Sequence, residues 1–516
     1  MPKQLIPLTI SAPGFLGLNT QQAGSILPPG WATKLDNCVF DNIGRIASRK
    51  GTQQVHEDAI SGTPTMRSGH EYVDRTGQSI MIWAGDNKIW KEVLGTVTDI
   101  TGTITTPTAD NWQFANFNDW CVGYQAGHEP IFLENTSDDF IDAADFGGAD
   151  TKTMYNGIAA TSAYGRTWTV LNNTLYYTDL LIHSYAGGSS GSFDLAKFWP
   201  SGMDTAVAVK DFNGLLIVFG RESVLIYENA DDVGNMALIE GIDGVGCIAR
   251  DSVQAIGKDL VYLSDTGLRS LGRSVIDQQA PLSDISSHVR ANLLADADVG
   301  SSDDIKSAYH PVDGFYVISF PNRGRSWYFD LKFPNEDGTW KAATWDLAPT
   351  AMAYTRNNVL NMAVTSGYVS AYTGYLDESS VGASDGASYL LDYEGVWNDM
   401  SQEAEGVENL LKIPKSVSVL GSSGANAETS FKWTYDYSAV FQTAQLAFTS
   451  SAAVQFGVGV YGVSTFTNTD GTFERVRASL ASSGQVIKTG IVAVTDGEPF
   501  ALQRIDMLVK IGRLYI

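Results

Sequence analysis

Cysteine is scarce: three residues in 516, Cys38, Cys121 and Cys247, far apart and odd in number. They exclude a disulfide framework, and with no CxxC pair they give no zinc ribbon. Long apolar runs are also missing. None approaches the roughly 18–20 residues that cross a bilayer, so no membrane insertion is expected. The opening MPKQLIPLTISAPG has one lysine and lacks an apolar core followed by a small-residue cleavage site, so no secretory leader is expected and synthesis is assigned to the cytoplasm. Basic residues are few: 34 Lys and Arg stand against 58 Asp and Glu, a formal charge of −24. A chain this acidic does not fit a conventional nucleic-acid binder, which needs a basic stripe against phosphates. It equally disfavours docking on an anionic membrane.

Recognisable catalytic patterns are missing too. The six histidines, His56, His70, His128, His183, His288 and His310, occur singly, without HxH or HExxH spacing. There is no GxSxG, P-loop or GxGxxG leading into a helix. Cys247 lies in GVGCIARDS, with Arg250 and Asp251 close behind, but has no local histidine partner. It reads as a small buried residue rather than a nucleophile, because free cysteine is among the most buried residue types. Asp296, Asp298, Asp303 and Asp304 form the densest carboxylate cluster, in ADADVGSSDD. That order lacks the spacing and closing Glu of an EF-hand and reads as a solvated loop. NEDGTW at Asn335 and NTDGTF at Asn468 put Gly directly after Asp, which marks hairpin turns. No catalytic residue, cofactor-binding residue or metal ligand is assigned, and the chain is expected not to be an enzyme.

What the sequence does contain is a repeat. DFNGLLIVFGRESVLIYE, from Asp211, runs turn, apolar strand, polar turn, strand, and AIGKDLVYLSDTGLRSLG, from Ala255, follows the same grammar. Comparable hairpins centre on Ile82, Val122, Trp168, Val317 and Met362. Their spacing of roughly 40–55 residues is that of four-stranded propeller blades. One small sheet cannot bury both faces alone, whereas stacked blades bury each other. The expected fold is mostly β: a β-propeller of about seven blades, with six and eight as the neighbouring counts, plus a C-terminal β-sandwich or platform. Unrelated sandwich hairpins are the rival reading. The expected divisions are residues 1–60 as an N-terminal segment packing with the platform, 61–384 as the propeller, and 385–516 as the platform. A helix is expected in DISSHVRANLLADAD, with Ile285, Val289 and Leu293 on one face after a capping Asp284. The loop from His183 carries Phe193, Phe198 and Trp199 and is expected to be ordered.

Three stretches also carry a resemblance. The N-terminal one has Gly17–Asn19, Leu27–Gly30, Leu35–Asn37, then Gly44–Gly51 in a Gly-x-hydrophobic-x-x-Arg-x-Gly pattern. The central one is VAVKDFNGLLIVFGRESVLIYE, followed by Gly246-Cys247, Asp251-Ser252-Val253 and the Leu-Ser-x-x-Gly of Leu263–Gly267. The last is FALQRIDMLVKIGRLYI, from Phe500. In this order they resemble the tail nozzle (tail tubular, packaged-DNA stabilisation) proteins of short-tailed bacteriophages. The resemblance implies a structural virion protein of the tail, a homo-hexameric ring below the head-to-tail adaptor. It implies tail fibres or a tail needle as further partners, and genomic DNA passing through the channel without sequence-specific binding. An acidic wall would suit such a conduit, since like charge does not retain phosphates. The alternative is a propeller glycosidase or a glycan-binding tail protein, the former requiring a pair of carboxylates several ångströms apart.

Overall fold

A computed structural model describes residues 5–41, 44–104, 110–136, 138–143, 154–272, 284–382, 385–402, 405–423, 428–448 and 473–512. The chain forms two compact units. One comprises residues 54–326 and 347–371, the other residues 1–53, 327–346 and 372–516.

The first unit is a β-propeller. Four successive antiparallel sheets of four strands begin at Met66–Val73, Gln113–Phe117, Ala159–Ala163 and Ala206–Phe212. A three-stranded sheet begins at Gln254–Ile256, and two further inner strands are Lys306–His310 and Ala351–Tyr354. Seven inner strands are therefore present among the described residues. The repeated hairpins are the middle strands of these blades. Leu215–Gly220 pairs with Ser223–Glu228, and Asp259–Ser264 pairs with Gly267–Ser270. These middle strands are buried almost throughout, which explains their continuous apolar runs, since both faces meet a neighbouring blade.

The cores lie between blades. Tyr72, Ile80 and Ile82 of the first blade pack with Phe114, Cys121 and Ile131 of the second. Leu216, Val218 and Leu225 of the fourth join Trp168 and Leu175 of the third, while Ile217, Phe219 and Val224 join Cys247, Leu260 and Tyr262 of the fifth. Alternate residues of one strand thus serve two cores, the period-2 logic of a strand. The ring closes where Met66, Trp83 and Trp90 meet Ala351, Ala363 and Val369. There the Val55 N–H donates to Val369 O at 3.0 Å and the Ile60 N–H to Gly367 O at 2.9 Å, tying the start of the unit to its end.

The aromatic loop from His183 is ordered. Gly191–Asp194 is the outer strand of the third blade, and Leu195 and Trp199 are buried. The expected helix is shorter than its pattern: it spans Arg290–Ala297. Ile285, Val289 and Leu293 are buried as expected. Asp284, however, accepts from the Ser286 N–H and Oγ–H at 2.8 Å in a local turn and caps no helix. This is the usual competition of a short polar side chain with the helix.

Among the described residues the second unit holds two large sheets and a short parallel pair, Gly17–Leu18 with Trp31–Ala32. In one, Phe500–Ile511 pairs on one side with Lys412–Ser423 and on the other with Leu5–Ser11 and Ile46–Ser48. In the other, Tyr389–Asn398 lies between Lys34–Asp36 and Ile487–Thr495, followed by Thr429–Tyr435 and Gln442–Leu446. Alternate residues are buried along the strands, among them Ile505, Met507 and Val509 in the first sheet and Leu391 and Tyr393 in the second. The expected limit of 61–384 for the propeller differs from this grouping. Residues 327–346 and 372–384 cluster with the chain's two ends, because the Lys341–Trp345 strand pairs in parallel with Lys34–Asp36. A long-range strand pairing of this kind leaves no local mark in the repeat pattern. NEDGTW forms its turn, with the Gly338 N–H on Asn335 O at 2.8 Å; residues 468–472 of NTDGTF lie outside the described residues.

Candidate functional site

Two places collect polar side chains whose sequence positions are remote. The first, in the unit of the chain ends, centres on Arg49, whose side chain is fully buried. Its guanidinium donates to both oxygens of Asp377, at 2.7 and 2.6 Å, and to Asp346 at 2.8 Å. Its Nε–H donates to Asn37 Oδ1 at 2.9 Å, and the group lies 4.0 Å from the centroid of the Tyr389 ring. A forked, planar cation suits this bidentate and stacked arrangement better than an ammonium would. Asn37 completes the cluster: its Oδ1 also accepts from the Asp346 N–H at 3.1 Å and its Nδ2 donates to Leu390 O at 2.7 Å. A Cβ on Gly51 would meet Leu376 O at 2.0 Å. Asn37, Arg49 and Gly51 of the N-terminal pattern are therefore occupied in holding this unit together.

The central motifs interlock in the same way. The Gly220-Arg221-Glu222 turn of the fourth blade is held by Asp204, which accepts from the Arg221 N–H at 2.9 Å and the Glu222 N–H at 3.0 Å. The chain entering the fifth blade then grips that turn. The Val245 N–H donates to Glu222 O at 3.0 Å and the Cys247 N–H to Gly220 O at 2.8 Å. Cys247 is fully buried, its thiol 3.1 Å from Ala249 O, and burial pushes its pKa up to about 11. It is a neutral thiol at physiological pH, without the thiolate character a nucleophile needs.

The second polar site is a cavity of about 220 Å³ among the propeller's inner strands. It is lined by Arg67, His70, Lys210, Arg250 and Lys306, with Asp251 as the carboxylate of the lining. Arg250 spans blades: it donates to Ile158 O at 2.8 Å and Asn111 Oδ1 at 2.9 Å, and pairs with its neighbour Asp251 at 2.8 Å. Lys306 Nζ reaches the same Asp251 at 2.6 Å and the same Asn111 Oδ1 at 2.5 Å. Although burial alone would raise it, Arg250 and Lys306 hold the Asp251 carboxyl far below the usual range, so it stays ionised. Burial lowers the Lys306 ammonium. His70 hydrogen-bonds Asn116 Oδ1 at 3.0 Å, and burial lowers its pKa as well.

The four clustered aspartates do not converge on one point. Asp304 pairs with Arg67 at 2.7 Å, and Asp296 faces Arg323 and Arg325 at 3.5 Å. Among the described residues no group of three His, Cys, Asp or Glu side chains is placed to hold a metal ion, and no helix is long and apolar enough to cross a membrane. Sequence reading placed Arg250 and Asp251 beside a thiol. It passed over Arg67, Lys210 and Lys306, whose only local sign is a charge on an inner strand.

No protein-family model matches the chain, and no curated protein does. Among solved structures it is similar to a streptogramin B lyase at 10% identity, over 61% of this chain and 96% of that one, with a TM-score of 0.38. It is similar to the WD40 domain of Neurospora crassa Pan2 at 9% identity, over 64% and 98%, with a TM-score of 0.38. A third is YCF48 bound to D1 peptide, at 11% identity, over 62% and 94%, with a TM-score of 0.36. The β-propeller assignment rests on the chain's own blades and inter-blade cores.

Proposed function

We propose that this protein is a structural component of a short-tailed phage virion: a tail nozzle that assembles as a ring below the head-to-tail adaptor and conducts genomic DNA. The observation that carries the reading is the fate of the motif residues. Asn37, Arg49 and Gly51 are built into one buried cluster, and the N-terminal Ile46 and Ala47 pair directly with Leu502 and Ala501 of the C-terminal motif. Glu222 and Gly220 are locked to Val245 and Cys247. Residues that define the resemblance are engaged in holding architecture, which is what a structural protein asks of its motifs. Chemistry in the central cavity is disfavoured on separate grounds. A glycosidase needs two carboxyl groups with separated pKa values, whereas among the described residues the lining supplies Asp251 alone, ionised and paired with two cations. The ring itself would be a closed set of head-to-tail contacts between identical chains.

Electron microscopy of the purified chain, alone and with the adaptor, tests this reading. Six-fold rings are expected in at least one of the two samples. A monodisperse monomer in both, together with cleavage of a labelled glycan, would overturn it in favour of the enzyme.

A further inference from the structure

We propose that the propeller's central cavity is a binding site for a small tetrahedral oxyanion of the phosphate or sulfate class. The charge balance there is opposite to that of the chain. Four cations line the cavity, Arg67, Lys210, Arg250 and Lys306, in a protein with a formal charge of −24. Two carboxylates offset them directly, Asp251 against Arg250 and Lys306, and Asp304 against Arg67; Asp303 acts on Arg250 and Lys306 at longer range. Positive charge is left over, and Lys210 is its centre. This lysine is half-buried on the inner strand Ala206–Phe212 and makes no hydrogen bond or ion pair with a protein group among the described residues. A lysine with no protein partner beside other cations raises the local concentration of anions drawn in from solvent.

Size selects among anions. Sites for drug-sized ligands enclose about 300–1,000 Å³, and this one has about 220 Å³. A free oxyanion fits that space better than a nucleotide. The site is independent of the assembly proposed above, because it is formed within one propeller.

Calorimetric titration of the full chain with inorganic phosphate and with sulfate, at fixed ionic strength, tests the proposal. Saturable binding of one anion per chain is expected, with affinity weakened roughly ten-fold or more in Lys210→Met. Lys197→Met, which removes an exposed lysine paired with Asp194 outside the cavity, is expected to leave it unchanged. Circular dichroism checks that the variants fold, and Lys210→Gln replaces Lys210→Met should the latter not. Absence of saturable phosphate and sulfate binding, equal affinity in the folded Lys210 variant, or binding of a nucleoside monophosphate but of neither free anion would each overturn the proposal.

Discussion

Lys341 illustrates how far a single residue can depart from its ordinary chemistry. Its ammonium is buried 3.3 Å from the centroid of the Phe15 ring, with Phe40 and Phe333 within 6 Å. Burial pulls its pKa down to about 8, against the opposing pull of Asp330. A folded-state value below the unfolded one means that the charged form is penalised on folding. The penalty is complete below pH 8, where both states are protonated. It fades between pH 8 and about 10.5, where the folded state releases its proton first. Lys341→Met is therefore expected to raise the Tm at pH 7, with the gain shrinking as pH rises through that window. A gain that is flat in pH would show that folding does not penalise the ammonium and that packing, rather than desolvation, accounts for the change. Arg49 faces the same burial but answers it differently. With Asp377 and Asp346 against it, its charge is matched and its pKa is raised.

At the scale of elements, the joint between the fourth and fifth blades depends on close backbone approach. A Cβ on Gly246 would lie 2.1 Å from Arg221 C and O, so any side chain there must part the two blades. Gly246→Ala is expected to cost about 1–3 kcal/mol, as overpacking does, and urea denaturation measures it. Little or no loss would show that the joint can relax. Much of this element was legible beforehand. The Asn213-Gly214 turn, the apolar strands and the Gly-Arg-Glu turn are local signals, set by residues a few positions apart. The helix was legible as a face and illegible as a boundary. Ile285, Val289 and Leu293 did mark the buried side, yet Asp284 spent its carboxylate on Ser286.

For the propeller as a whole, Arg250 is a cross-brace. It links the segment entering the fifth blade to Asn111 and Ile158, which precede the second and third inner strands. Replacing it leaves Asp251 with Lys306 as its side-chain partner and takes a donor from Ile158 O, while Asn111 Oδ1 keeps Lys306. Breaking a buried pair from one side typically costs about 3–5 kcal/mol. Arg250→Met is expected to lower the urea midpoint of the propeller by a corresponding amount, with Asp251→Asn less severe because Asn still hydrogen-bonds. A midpoint unchanged in Arg250→Met would mean that inter-blade apolar cores alone hold the ring.

The sequence by itself determined the blades. Strand period, turn chemistry and repeat spacing are local properties, so the hairpins around Ile82, Val122, Trp168, Ile217 and Leu263 could be read in order before any folding. It also determined that Cys247 would be an inert, buried thiol. Only the tertiary structure decided what meets what. Arg67, Lys210, Arg250 and Lys306 are nearly 240 positions apart at the extremes, and closure of the ring alone brings them to one cavity. Residues 327–346 follow the same rule: their own pattern reads as blade, and a parallel pairing with Lys34–Asp36 assigns them to the other unit. Periodicity reports which face of a strand is buried, while the partner across that face is fixed by contacts between distant segments.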